Sequence, residues 1–123
     1  MKIEPTYVTF EQAKLLKRKG FDVSCIRLWN GIGKYFEDKP YTDWNKATQF
    51  ISIPEQGQVI EWLRVVHGIW IEVHGWTKQP VGDEIWEQCY QSFINGDATD
   101  VSIFKTPQEA YSAAFDYTLK ELI

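Results

Sequence analysis

Residues 54–76, PEQGQVIEWLRVVHGIWIEVHGW, change their hydrophobic period at a single glycine. Before Gly68, the apolar Val59, Ile60, Leu63 and Val66 recur at the three-and-four spacing of one helix face, while Glu55, Gln58, Glu61 and Arg64 fall largely elsewhere. That face is expected to be buried. Gly68 stands where a left-handed C-cap belongs, and His67 in the last turn suits the negative end of the helix dipole. From Ile69 the period becomes two, so Ile69, Ile71 and Val73 point one way and Trp70, Glu72, His74 and Trp76 the other. A helix followed at once by a strand is the reading, with the aliphatic strand face against helices and the mixed aromatic and ionisable face open or irregularly covered.

Two further helices announce themselves by their caps. Thr9 with Gln12 has the form of a capping box, with Val8 placed to staple against Ala13. Ala13, Leu15 and Leu16 give this helix its apolar side, Lys14, Lys17, Arg18 and Lys19 a basic one, and Gly20-Phe21 a Schellman stop. Thr106-Pro107-Gln108-Glu109 is the clearest helix start, followed by a face of Tyr111, Ala114, Phe115, Thr118, Leu119 and Leu122 opposite Glu109, Asp116 and Lys120. For the helix before Gly68, Ser52 with Glu55 suggests a capping box and Pro54 a first-turn position, although Pro54 disfavours helical geometry at Ile53 and shifts the cap later by about a residue.

Strands fill the remaining regular stretches. Val23 to Trp29 is a short strand ended by Asn30-Gly31, a pair suited to a hairpin turn, and Phe50 to Ile53 is a short extended piece. Residues 30–50 are the least regular, with Tyr35, Phe36, Tyr41, Trp44 and Phe50 among Gly, Pro, Asp and Asn. Such aromatic loops either plug a core or meet a partner. Gly31-Ile32-Gly33-Lys34 lacks the full spacing of a phosphate loop. Residues 77–83 form a polar turn and residues 84–94 a second strand antiparallel to the first, with Trp86 and Tyr90 across from Trp70 and Trp76 and a core face that pattern alone does not assign. Asn95-Gly96-Asp97 is another turn, and Val101 to Phe104 a third strand beside the second. The whole is expected to be an α+β fold, a mainly antiparallel sheet of about three to four strands with about three helices packed on one face.

The 123-residue length fits one compact domain spanning 1–123, long enough to bury about two thirds of its unfolded surface. Cys25 and Cys89 lie far apart without paired spacing, which suits reduced thiols in a cytoplasm, and no apolar run matches a signal peptide or membrane span. Residues 1–50 carry nine Lys and Arg against six Asp and Glu, and residues 51–123 four against eleven. A mild dipole follows, not a polyanion-binding surface.

Three segments together are familiar: YVTFEQAKLLK (7–17), EWLRVVHGIWIEV (61–73) and TPQEAYSAAFDY (106–117). Their order resembles a group of small uncharacterised proteins encoded by phages and prophages of anaerobic gut bacteria. The resemblance spans most of the chain, least clearly residues 30–50. It implies a phage or prophage origin and supplies no functional residues.

No chemistry is spelled out. His67, His74, Cys25 and Cys89 are not spaced as paired metal ligands, no nucleophile motif is present, and Glu72 with His74 are two polar residues on one strand face, so neither a metal nor a cofactor is expected. Aromatic residues, however, make up 15% of the chain, with six Trp. Trp70, Trp76, Trp86, Tyr90, Trp44 and Tyr41 are candidates for a protein-binding patch, unless the irregular region folds over the sheet and the rings bury one another. The expected function is non-enzymatic binding of a host or phage protein, or self-association, through an aromatic sheet face or strand edge. Contact with nucleic acid through Lys14, Lys17, Arg18, Lys19, Arg27 and Lys34 is the alternative, disfavoured by the acidic total, and an enzyme with an unrecognised site is a third.

Overall fold

The computed structural model describes residues 3–31, 36–78, 87–98 and 102–123. Helix α1 (Phe10–Arg18) begins with the expected reciprocal cap: Thr9 Oγ1 accepts from the Gln12 amide at 3.1 Å, and Gln12 Oε1 accepts from the Thr9 amide at 3.1 Å. It ends as expected too. The Phe21 N–H donates to the Leu16 carbonyl at 3.0 Å and the Gly20 N–H to that of Lys17 at 3.2 Å, the Schellman pair, with Phe21 and Leu16 both buried.

The first sheet is antiparallel and ordered β2-β1-β3, from β1 (Cys25–Trp29), β2 (Phe36–Thr42) and β3 (Ile51–Ser52). Strand β2 lies inside the region read as irregular, because FEDKPYT has neither alternation nor a proline-free run. Its pairing with β1 slips register opposite Cys25 to Arg27, and Pro40 falls within that slip on an edge strand, two settings that tolerate a missing N–H. The following segment is fastened rather than loose. A 3-10 turn covers Trp44–Lys46; Asn45 donates from Nδ2 to the Phe21 carbonyl at 3.0 Å and accepts from the Ser52 amide at 2.9 Å. Lys17 Nζ donates to the carbonyls of Ala47, Thr48 and Phe50.

Helix α2 (Gln56–His67) starts later than Ser52 and Glu55 suggested: Glu55 is the N-cap, its N–H donating to Gln58 Oε1 at 3.0 Å, and Pro54 lies before the helix. Pro54 instead offers its carbonyl to the Val8 amide at 3.0 Å, while Gln56 N–H donates to Thr6 at 2.8 Å. The buried side of α2 is Val59, Trp62 and Leu63. Val66, assigned to that side by spacing, is exposed, because among the described residues the last turn of α2 is left uncovered on that flank. Gly68 closes the helix in the left-handed region, at φ 65°.

The second sheet, ordered β4-β5-β6, contains β4 (Ile71–Lys78), β5 (Glu87–Ile94) and β6 (Asp97–Ala98). Residues 79–86, which include Trp86 and most of the expected turn, lie outside the described residues. The alternation along β4 is as read, with Ile69 and Ile71 buried and Trp70, Glu72, His74 and Trp76 exposed. Ile71 faces Ile94 and Val73 faces Ser92 across the pair, which assigns the core face of β5. Asn95-Gly96 makes the turn to β6, both with positive φ. Val101 is not described, and Phe104 forms only an isolated bridge, trading hydrogen bonds of 2.9 and 2.8 Å with Tyr90.

Helix α3 (Pro107–Tyr117) has the expected Thr106 cap, accepting from the Glu109 amide at 3.2 Å, and runs into a π-helical turn over Thr118–Leu122. Leu122, read as part of the buried face, is exposed. The α+β class stands, but where a single sheet of three or four strands is expected, the described residues form six strands in two antiparallel sheets of three. Nor do the helices share one sheet face. Helix α3 lies on β4 and β5, and α1 packs against β3 and the C-terminal turn. Phe21, Cys25 and Ile53 from the first half and Ile71, Ile94, Phe115 and Leu119 from the second belong to one core cluster.

Phe115 is fully buried, so Phe115→Ala should lower unfolding free energy by about 3–5 kcal/mol in chemical denaturation. Gly31 has φ +86°, and a Cβ there would meet the Gln49 carbonyl oxygen at 2.8 Å. Gly31→Ala should therefore cost more than the roughly 1–2 kcal/mol of a left-handed alanine alone, measured the same way.

Candidate functional site

The outward face of β4 carries two exposed indoles. Trp70 is 55% exposed and Trp76 38%. Between them, His74 Nε2 lies 3.0 Å from Glu72 Oε2, and the His74 ring rests on Phe93 of β5 with centroids 4.5 Å apart. Arg64 on α2 reaches over the Trp70 indole at 5.3 Å. The Trp70 amide donates to Asn95 Oδ1 at 2.8 Å, and the Trp70 carbonyl accepts from the Asn95 N–H at 2.8 Å, so the turn before β6 fixes the backbone beneath that indole.

The other aromatic candidates do not gather there. Tyr90 pairs with Gly75 and so projects from the Ile71 and Val73 side, opposite to Trp70 and Trp76. It is not across from them, as the sequence reading had it. Its ring lies where a Gly75 Cβ would stand, 2.8 Å away, which is why a glycine sits mid-strand. Trp44 is half-buried on the first sheet's side of the core, its Nε1 donating to the Cys25 carbonyl at 2.8 Å and its ring edge-on to Phe50 at 5.8 Å. Tyr41 is 60% exposed but sits on β2, in the other sheet. Trp86 lies outside the described residues. The irregular region thus builds the first sheet and its packing.

The cations are dispersed and largely engaged. Lys14, Lys17 and Arg18 line a groove of about 440 Å³ with Trp29, yet the Lys17 ammonium is bonded to three carbonyls and Lys14 pairs with Glu11 at 2.9 Å. Lys19 Nζ donates to the Ile123 carbonyl oxygen at 2.6 Å. Arg27 stacks on the Tyr7 ring at 3.8 Å and pairs with Asp38 at 2.9 Å, a bond that holds the Asp38 carboxyl below its usual range. Lys34 is not described.

Spacing along α2 concealed one feature. Six of its residues from Val59 to Val66 are apolar, more than one stripe accommodates. Val65 and Val66, 64% and 57% exposed, are the excess, and the width of the run was the available signal. Among the described residues, no cluster of three or more His, Cys, Asp or Glu is arranged to hold a metal ion, and no helix is long and apolar enough to cross a membrane. No protein-family model, curated protein or solved structure matches the chain.

Cys25 is buried with its Sγ 3.4 Å from the Val23 carbonyl, and burial pushes its pKa up to about 12 from an ordinary 9.0. A thiol that resists ionisation only when folded contributes stability that is fully present below pH 9 and is lost as pH rises towards 12. Denaturation midpoints measured across that window should therefore fall with pH, and Cys25→Ala should show a shallower fall.

Proposed function

We propose that this chain is a non-enzymatic accessory protein of phage or prophage origin that binds a protein partner through β4. The observation that carries the reading is the exposure of two indoles on one face of a strand that is also an edge. In the order β4-β5-β6, β4 has β5 on one side and, among the described residues, no strand on the other. An eight-residue edge offers a row of backbone N–H and C=O groups to an added strand. Trp70 and Trp76 beside it supply large apolar contacts that lose little conformational entropy on binding. The phage assignment is supported by the resemblance of residues 7–17, 61–73 and 106–117.

The cationic alternative has less behind it. Its described members are split between α1 and β1, and Lys17, Lys19 and Arg27 already hold partners within the chain. Among the described residues the cations form no continuous basic track, so phosphate contacts would be few and counter-ion release small.

Immobilised wild type and a Trp70→Ala, Trp76→Ala double variant, matched for folding by circular dichroism, should differ in what they retain from host lysate. A retained protein, once purified, should bind the double variant at least about tenfold more weakly. Equal affinity for both would remove β4 as the binding surface.

A further inference from the structure

A groove of about 510 Å³ runs along α2, on a floor of Val23, Trp62, Val65 and Val66. Asp22, Glu55 and Glu61 stand at its rim, and among the described residues no lysine or arginine lines it. At the N-terminal end of α2, Gly57 lines both this groove and a second of about 340 Å³ bordered by Ile60, Pro107 and Tyr111. Beyond its chain neighbours and the helix's own adjacent backbone, no atom lies within 4 Å of where a Gly57 Cβ would stand. Packing within the chain therefore does not require a glycine there, and a helical glycine weakens the helix relative to alanine. What the missing side chain does is keep low the ground that Glu55 and Gly57 share between the two depressions.

We infer that α2 is a docking site for a cationic amphipathic segment of a partner protein, its apolar side chains on the Trp62, Val65 and Val66 floor and its Lys or Arg residues over Asp22, Glu55 and Glu61. Charge selects this occupant. A second copy offering the same patch across a two-fold axis would set one acidic rim against another. The most basic helix of the chain, α1, already turns its apolar side into its own core. Arg64 meets both Glu61 oxygens within α2 and the Glu55 side chain accepts from the Gln58 N–H, so Asp22, with the remaining charge on Glu55, carries most of the attraction. The groove does not include Trp70 or Trp76, and the inference stands apart from β4.

The probe is an amphipathic Leu/Lys peptide about 18 residues long, roughly 27 Å as a helix, with a Leu/Glu peptide of the same pattern as control. Calorimetry on the full chain should show saturable binding of the Lys peptide alone, and amide shift mapping should centre on Gly57, Trp62, Val65 and Val66. Val65→Ser with Val66→Ser alters only exposed side chains, so the fold should survive while affinity drops about tenfold or more. Gly57→Leu, which fills the saddle, should weaken binding as well, and the Trp70→Ala, Trp76→Ala variant should bind as wild type does. The inference is overturned if neither peptide binds, if the Glu peptide binds equally, or if the serine variant retains full affinity, which would reveal unspecific attraction to an acidic chain. It is also overturned if light scattering finds a dimer that the serine variant dissolves, since the occupant would then be a second copy.

Discussion

Neither sheet can hide its apolar face unaided, because a sheet that is hydrophobic on one side must bury that side against another layer. Both sheets draw on one set of helices, with α1 against β3 and α3 against β4 and β5. The helices are tied together by Gln12, almost fully buried, whose Nε2 lies 3.0 Å from the Ser112 carbonyl, 2.9 Å from Ser112 Oγ and 3.0 Å from Asp116 Oδ1. The same side chain closes the α1 capping box through its Oε1. One carboxamide thus starts a helix and docks it, and a carboxylate acceptor makes the docking bond stronger than a neutral one.

Elements fixed by local chemistry were legible. Thr9 with Gln12, Gly20 with Phe21, Gly68, and Thr106 with Pro107 are governed by groups three to six residues apart, so the sequence displays both partners of each bond. Strand β2 was not legible, since its place depends on pairing with β1 and its Pro40 is acceptable because that pairing slips and the strand lies at an edge. The same limit explains Val66 and Leu122. Helical spacing says which residues share a side, but not whether a neighbour extends far enough to cover the last turn.

Candidate sites divided along the same line. Strand alternation separated Trp70 and Trp76 from Ile71 correctly, because period two is a property of the strand itself. Tyr90 was misplaced because its face depends on the register between β4 and β5, which places it opposite Gly75. Trp44 was drawn inward by a long-range bond to the Cys25 carbonyl, and Lys17 by three carbonyls thirty or more residues away. A tally of aromatic or basic residues does not distinguish those that build the first sheet from those left on the surface.

The Gln12 clamp spans 100 residues to Ser112 and 104 to Asp116. At translation rates of about 5–20 residues per second, α1 leaves the ribosome roughly 5–20 seconds before the helix that completes its burial. For that interval Ala13 and Leu16 lack part of their cover, and the nascent first half can be no more than provisional. Closure waits for Ser112 and Asp116, so a ribosome stalled before Ser112 would hold a chain with its described strands made and its amide latch still open.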